Sequence, residues 1–400
     1  MLNLSIPDHV APIRRKVLEF VEQEVYPIEG QLLDGHAGTW DKRIVGRLMQ
    51  TAKDNGLWAL GHPEEIGGGG MPFMDYVFIN EVIGRSEVAP LALGTHSLQD
   101  SIMLHRYASP EWREKYLAPL VSGDVFPSFG MTEPEVASSD PRQLQTSAEL
   151  IGGEWVINGR KWFSTHAGEA AYTTAMVRTE DKDTPDHSAF SMILVPTDTP
   201  GYNIVRDVKV MGKHDAHYEV LYDNVRVPAS NLLGPRGQGF KIAQDRLGPG
   251  RIFHCMRWLG QAQRAFDLMC KRANSRVAFG RALSEHQQIQ KFVFDTATEI
   301  QSSRLLTLHA AQKIDEGDEA RIEIGLIKVY GAKMLHNAID RAIQVHGAMG
   351  VTEDTPLELM YRHARAARIY DGPDEVHVMN SARRILRTYS NGDTFDFGLR

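Results

Sequence analysis

From Asp8 to about Leu120 the apolar residues recur at intervals of three and four, as in Val17, Leu18, Val21 and Val25, or Val45, Leu48 and Met49, with proline and glycine at the breaks. Positions so spaced share one helix face, so the first third of the chain is predicted to be helical. The run Gly67-Gly68-Gly69-Gly70 lies between two such patterns. It lacks the flanking strand and the Lys-Ser/Thr ending of a phosphate loop and reads as a flexible turn. Between about Gly123 and Asn231 the texture changes to short β-rich runs: Glu154-Trp155-Val156-Ile157, Ser191-Met192-Ile193-Leu194-Val195 and Val220-Leu221-Tyr222. The turn pairs Gly152-Gly153, Asn158-Gly159, Pro200-Gly201 and Asp223-Asn224 bound them. That spacing predicts a small antiparallel barrel or sandwich. No GxGxxG follows a strand, which argues against a Rossmann domain. From Gly237 onward the helical period returns, with Ile252, Cys255, Met256, Leu259, Ala262, Phe266 and Met269 in one stripe and Ile289, Phe292, Val293, Ala297 and Ile300 in another. Long helices with few breaks pack as a bundle. The fold class expected is therefore α+β multidomain: an N-terminal α-helical domain over 1–123, a middle antiparallel β-barrel over 124–235 and a C-terminal four-helix bundle over 236–400.

Composition narrows the function. The 400 residues, 42% hydrophobic and 24% charged, are those of an ordinary globular chain, and disorder, collagen and coiled-coil arrays are excluded. With 44 Lys plus Arg against 51 Asp plus Glu, the net charge is 44 − 51 = −7, so no general polyanion binder is expected. Cys255 and Cys270 are the two cysteines, too few for a disulfide framework or a Cys-rich zinc site. The N-terminal residues lack an apolar export core, and no window approaches the ~18 apolar residues of a membrane span, so a cytoplasmic location is expected.

Three segments could carry chemistry. Phe129 to Asp140 passes through Thr132-Glu133-Pro134 into a hydroxyl-rich loop containing Ser138 and Ser139. Hydroxyls and free N–H groups there suit a phosphate or the polar edge of a heterocycle, and equally an ordinary Ser-Asp turn. Gly159 to Ala167 places Trp162 and Phe163 beside Ser164 and Thr165, the combination a planar conjugated ring needs, although strand aromatics also serve as core. Ile369 to His377 follows the basic residues Arg362, His363, Arg365 and Arg368. Asp374 and Glu375 open the last helix, where carboxylates favour its dipole, whereas Asp371 precedes Gly372 and Pro373, where the chain is expected to be extended and the side chain can enter a cavity, if it is not a simple cap.

Taken together, these segments resemble the acyl-CoA dehydrogenase family over roughly residues 5 to 390. Thr132-Glu133-Pro134 with Ser138 matches the family's Thr-Glu-Pro loop, and Lys161-Trp162-Phe163-Ser164-Thr165 its Lys-Xaa-Trp-Ile-Thr strand. Arg276, Phe279, Gly280, His286 and Gln287 match its partner-facing segment. Gln344, Gly347 and Gly350 match a Gly-rich turn, and Tyr370-Asp371-Gly372-Pro373 matches the Tyr-Glu-Gly-Thr base motif. The resemblance implies FAD as cofactor. The Met131 backbone and the Thr132 and Thr165 hydroxyls would bond the flavin, Phe163 would pack on it and Ser138 would meet the pyrophosphate. Arg276, Phe279, Gln287, Gln344 and Gly347 would reach the FAD of a neighbouring subunit in a homotetramer or dimer. Pro373 and Glu375 complete the cofactor set, and Arg251 and Gly372 the substrate set. Asp371 would take the α-proton of an acyl-CoA as hydride leaves the β-carbon, giving a trans-2-enoyl-CoA, with electrons passing to an electron-transferring flavoprotein.

Two departures qualify the match. The base position holds Asp where most members have Glu, and the family's alternative base position, on the helix carrying Arg251, is Gly250. The string Asp-Gly-Pro-Asp-Glu-Val-His resembles a subgroup related to kinase-fused animal members, some associated with 4-hydroxy acids processed as 4-phosphoacyl-CoA with phosphate elimination. His166 and His346 read as hydrogen-bonding supports. A DNA-associated flavoprotein of the same fold is a further alternative, disfavoured by the charge of −7.

Overall fold

A computed structural model describes residues 5–33, 42–181, 183–185, 188–212, 214 and 216–397. By internal packing the chain divides into two compact units, one formed by Ile28–Pro72 and Pro90–Leu247, the other by Met1–Pro27, Phe73–Ala89 and Gly248–Arg400.

The first unit holds the sheet. Its strands are β1 (Pro127–Gly130), β2 (Ser147–Ile151), β3 (Glu154–Thr165), β4 (Tyr172–Arg178), β5 (Phe190–Pro196), β6 (Tyr202–Asp207), β7 (His217–Pro228) and β8 (Leu232–Leu233). They run in the order β6-β7-β3-β2-β4-β5-β8, and β1 joins at β4. The expected β domain is present, but two pairings are parallel: β1 along β4, and β2 with β4 at Ser147 and Arg178. Strands β4 and β5 are buried along nearly their whole length, Thr173, Thr174 and Ser191 included, because both their faces are covered. Tyr172, Met176, Met192 and Leu194 pack with Met103, Leu104 and Leu120 from helical segments, while Ala175, Val177, Ile193 and Val195 pack with Trp155, Val220 and Tyr222 across the sheet. Gly67 to Gly70 are not a loose turn. Their N–H groups donate to the carbonyls of Glu64, Pro63, Ala59 and His62, and a Cβ on Gly68 would meet the His62 backbone at 2.3 Å. Close backbone approach at Gly68 and Gly69, and positive φ at Gly67 and Gly70, are what these glycines allow.

The second unit is helical. Helix Gly239–Ser275 from Gly248 on, Gln287–Asp315, Arg321–His346 and Asp374–Ser390 form the long members, with Leu357–Ala366 between the last two. Helix Phe73–Ile83 crosses the first of these closely, because Gly260 lets the Glu81 carbonyl approach to 2.0 Å of where a Cβ would stand. That crossing brings Asn80 to Arg257, which donates to its Oδ1 at 3.2 Å.

Candidate functional site

The turn between helices Leu357–Ala366 and Asp374–Ser390 carries Tyr370, Asp371, Gly372 and Pro373. Asp371 is not extended, as its place before Gly372-Pro373 suggested, but left-handed at φ +54°, followed by Gly372 at +100°. The steric rule for residues before proline acts on Gly372, which leaves Asp371 to be set by tertiary contacts. A non-glycine residue in this region is strained by on the order of 1–3 kcal/mol and persists only where neighbours hold it.

The neighbours that hold it are cationic or N–H donors from three helices. Arg251 Nε donates to the Asp371 carbonyl at 3.1 Å and His377 Nε2 to the same oxygen at 3.1 Å. Burial, with Arg251 close by, pushes His377 down to about 4, so at neutral pH the ring is uncharged and its Nε2 must carry the proton to donate. Lys328 Nζ, its side chain buried, donates to the carbonyls of Ala367 at 2.7 Å and Gly372 at 3.3 Å. It also lies 5.2 Å from the ring centres of Trp258 and Tyr370. Trp258 Nε1 donates to the Tyr370 hydroxyl at 2.8 Å. The Asp371 carboxylate has His254 Nε2 3.2 Å from its Oδ2 and is 22% exposed. It is therefore within ion-pair distance of an imidazole nitrogen but open to one side.

The other titratable groups nearby are otherwise committed. Asp374, at the start of the last helix, accepts from Arg368 Nε at 2.7 Å, and its N–H donates to the Arg368 carbonyl. Glu375 is exposed on the same first turn. Burial pushes the Cys255 thiol up to about 12, which keeps it protonated. Asp371 is thus the carboxylate this turn presents. A Cβ at Gly250 meets nothing within 4 Å, and no carboxylate stands there.

The residues from Met131 to Thr165 gather in the sheet unit. Strand β3 is bulged between Lys161 and Ser164, and Phe163 sits in the bulge at φ +51°. A bulge turns a side chain out of the pleat, and the Phe163 ring is left 42% exposed, edged by Trp162 at 5.0 Å and His217 at 5.5 Å. The Thr132 loop is clasped to this bulge in both directions: Trp162 N–H donates to the Thr132 carbonyl at 3.0 Å, and the Thr132 hydroxyl to the Trp162 carbonyl at 2.7 Å. Beneath it lies a buried ion pair, Lys161 Nζ to Glu133 Oε1 at 2.8 Å, with Nζ also donating to the Met131 carbonyl at 2.9 Å. Burial pulls Lys161 down to about 8, still charged at neutral pH. Burial alone would raise Glu133, but Lys161 and the N–H groups of Gln145 and Thr146 outweigh it and hold that carboxyl below its usual range.

The hydroxyls in this loop are partly spoken for. The Ser138 hydroxyl accepts from the Glu133 N–H at 2.9 Å and donates to the Glu133 carbonyl at 3.2 Å. A hydroxyl has one proton, so toward an anion Ser138 offers its backbone N–H rather than Oγ–H. Thr132 likewise can only accept. Thr165, exposed at the end of β3, has its hydroxyl 3.0 Å from His217 Nδ1.

The third group lies in the helical unit. Arg276, Phe279 and Gln287 flank a two-residue hairpin, Val277–Ala278 against Arg281–Ala282, whose tip residues Phe279 and Gly280 both have positive φ. This turn type matches the twist of paired strands and leaves Phe279 99% exposed. Gln344 and Gly347, at the end of helix Arg321–His346, are also exposed. His346 Nδ1 lies 2.8 Å from the Ala342 carbonyl one turn back, a bond internal to its helix, and the His166 N–H donates to the Ala216 carbonyl at 2.7 Å.

His254 and Lys328 lie outside the sequence motifs, whereas His377 closes the string Asp-Gly-Pro-Asp-Glu-Val-His. His254 follows Arg251 by one helical turn and so shares its face; Lys328 carries no local signal.

The chain matches the family described as acyl-CoA dehydrogenase in all three of its parts: the N-terminal domain over residues 7–124, the middle domain over 128–225 and the C-terminal domain over 237–386. It is 44% identical over 387 residues to the probable acyl-CoA dehydrogenase FadE2 of Mycobacterium tuberculosis, covering 93% of this chain and 94% of that one. It is 41% identical over 389 residues to acyl-CoA dehydrogenase family member 11 of Rattus norvegicus, covering 93% of this chain and 50% of that relative, so it spans about half the latter's length. Among solved structures, butyryl-CoA dehydrogenase from Megasphaera elsdenii superposes with a TM-score of 0.85 at 26% identity, covering 96% of this chain and 100% of that one.

Proposed function

The chain belongs to the acyl-CoA dehydrogenase family, and from that premise we propose that it is an FAD-dependent enzyme that desaturates an acyl-CoA between its α- and β-carbons, with Asp371 as the base. The observation that carries the assignment of the base is the left-handed Asp371, whose carbonyl is tied by Arg251 and His377 while its carboxylate stays partly open.

The residues of the sheet unit fit the cofactor. Phe163 offers an open aromatic face, Thr165 a hydroxyl beside it, and the loop at Met131 a backbone whose carbonyl is already taken by Lys161. Met131, Thr132, Phe163 and Thr165 would hold the ring system, and the Ser138 N–H the pyrophosphate. When bound, FAD supplies the two-electron acceptor for hydride from the β-carbon. Arg276, Phe279, Gln287, Gln344 and Gly347 would complete the cofactor site of a second copy, and their exposure supports that role.

An acyl-CoA α-hydrogen is a very weak acid, so a carboxylate can remove it only where the enolate charge is stabilised and the base desolvated. The Asp371 N–H would donate to the thioester carbonyl while its carboxylate receives the α-proton. The cations Arg251 and Lys328 at the turn favour negative charge there, and Arg251 would also face the CoA moiety. Electrons would leave to an electron-transferring flavoprotein. Among the described residues no helix is long and apolar enough to cross a membrane.

The test is anaerobic titration of the yellow protein with an acyl-CoA panel of varied length and branching, including 4-hydroxy and 4-phospho compounds. At least one member should bleach the flavin. The Asp371→Asn variant should bind the same ligand without bleaching; bleaching at the wild-type rate by that variant would remove Asp371 from the role.

A further inference from the structure

The carboxylate of Asp371 is one methylene shorter than the Glu that most relatives place there, and something must set where it points. On the helix Gly239–Ser275, His254 stands with Nε2 3.2 Å from Asp371 Oδ2. Its other nitrogen, Nδ1, lies 3.0 Å from a terminal nitrogen of Arg257. A guanidinium can only donate, so the lone pair at Nδ1 is the acceptor and the ring proton must sit on Nε2. The tautomer is therefore imposed by Arg257, and Arg257 is itself steered by Asn80, to whose Oδ1 its other terminal nitrogen donates at 3.2 Å. The chain of contacts runs Asn80, Arg257, His254, Asp371, with donation fixed at the first two steps and His254 Nε2 3.2 Å from the carboxylate at the third. The Tyr370 ring, 5.2 Å from the His254 ring, bounds the imidazole on one side.

We propose that His254 is a positioning residue for the base: it donates from Nε2 to Asp371 Oδ2 and fixes the plane of the carboxylate, so that the shorter side chain presents its basic lone pair along one direction. This rests on the reading of Asp371 as the base and deepens it. Arg251 and His377 hold the backbone end of Asp371, and His254 meets its carboxylate end. The proton ledger is unchanged by His254. The α-C–H bond breaks, its electron pair stays on the enolate and its proton goes to Asp371. With Nδ1 engaged by Arg257, the imidazole has no lone pair with which to take that proton onward. The role differs from that of a histidine base, and the charges that act on Asp371 are those of Arg251, Arg257 and Lys328, while the uncharged His377 ring meets its carbonyl.

The experiment uses the FAD-loaded full chain and two readouts. One is the rate of flavin reduction by the best acyl-CoA of the panel. The other is solvent deuterium entry at the α-carbon of an acyl-CoA whose β-carbon is replaced by sulfur, which can lose its α-proton but not a hydride. His254→Phe removes the donor, and His254→Gln keeps an N–H at the same reach. His254→Phe is expected to lower both rates on the order of tenfold to a hundredfold with ligand affinity changed by less than about threefold, as befits misalignment of a base. His254→Gln should restore most of the loss. In an Asp371→Glu background, whose carboxylate lies past the imidazole, the penalty of His254→Phe should shrink about tenfold. If Phe and Gln variants lose rate equally, or if the Phe variant keeps wild-type α-exchange, His254 does not position the base. Should His254→Phe fail to hold FAD, the comparison of His254→Met with His254→Gln decides on the same criteria. Failure of the underlying reading looks different: Asp371→Asn would then retain α-exchange, whatever His254 does.

Discussion

Lys161→Met tests whether the ion pair beneath the Thr132 loop holds the cofactor-facing segment in place. The Lys161 side chain is fully buried and that of Glu133 is 2% exposed, with Nζ 2.8 Å from Oε1. Removing the ammonium leaves a carboxylate facing only the Gln145 and Thr146 N–H groups, at 2.7 and 2.9 Å, and strips the donor from the Met131 carbonyl. Breaking one side of a buried pair costs about 3–5 kcal/mol, because the remaining charge is uncompensated. The orphaned Met131 carbonyl adds about 1 kcal/mol. Urea unfolding of the FAD-free protein should therefore show a loss of roughly 4–6 kcal/mol, or a Glu133 protonated at neutral pH. FAD should also dissociate more readily, because the loop carrying Met131, Thr132 and Ser138 is released. Adding Glu133→Gln removes the stranded charge while keeping one acceptor, and should recover roughly half of the loss. A single variant that stays within about 1 kcal/mol of wild type and holds FAD normally would refute the argument that this pair organises the loop.

Three further outcomes follow from the geometry. Gly372→Ala places a Cβ 2.7 Å from His377 Nε2 at φ +100°, so it should displace the donor to the Asp371 carbonyl; thermal unfolding should drop by on the order of 1–3 kcal/mol and the flavin reduction rate should fall with it. Burial lowers His62 and His377 from 6.5 to about 4 and His96 to about 3. Their unfolded forms take up protons near 6.5 while the folded forms do not, so stability should be full above that pH and fall on acidification through the window from 6.5 to about 3, by several kcal/mol in all, measured as urea midpoints against pH; a flat profile there would contradict the burial. Phe279→Ala, at a side chain 99% exposed, should leave the unfolding of the isolated chain within about 0.5 kcal/mol yet weaken FAD retention and self-association, as read by sedimentation.

What the residues alone determined was every feature written in periodicity or in contiguous motif. Apolar spacing of three and four marks helices wherever a stripe must be buried, and the run Ser191–Val195 within β5 marks a strand covered on both faces. The segments Met131–Ser138, Phe163–Thr165 and Tyr370–Pro373 stand out because their polar groups have no packing reason to be there. Tertiary structure decided the rest, since it depends on which groups from distant parts of the chain arrive first at each donor and acceptor. A hydroxyl has one proton, and only folding shows that the Thr132 and Ser138 protons go to the carbonyls of Trp162 and Glu133. Four glycines in a row look loose until the backbone of Ala59 to Glu64 closes on them. The left-handed Asp371 has no local cause: it is held by Arg251, 120 positions earlier, with His377 beyond it and His254 at its carboxylate. That a carboxylate stands at this position is legible from a single residue. Where it points is a property of three helices, because a torsion is fixed only when partners from outside its own segment meet both ends of the side chain.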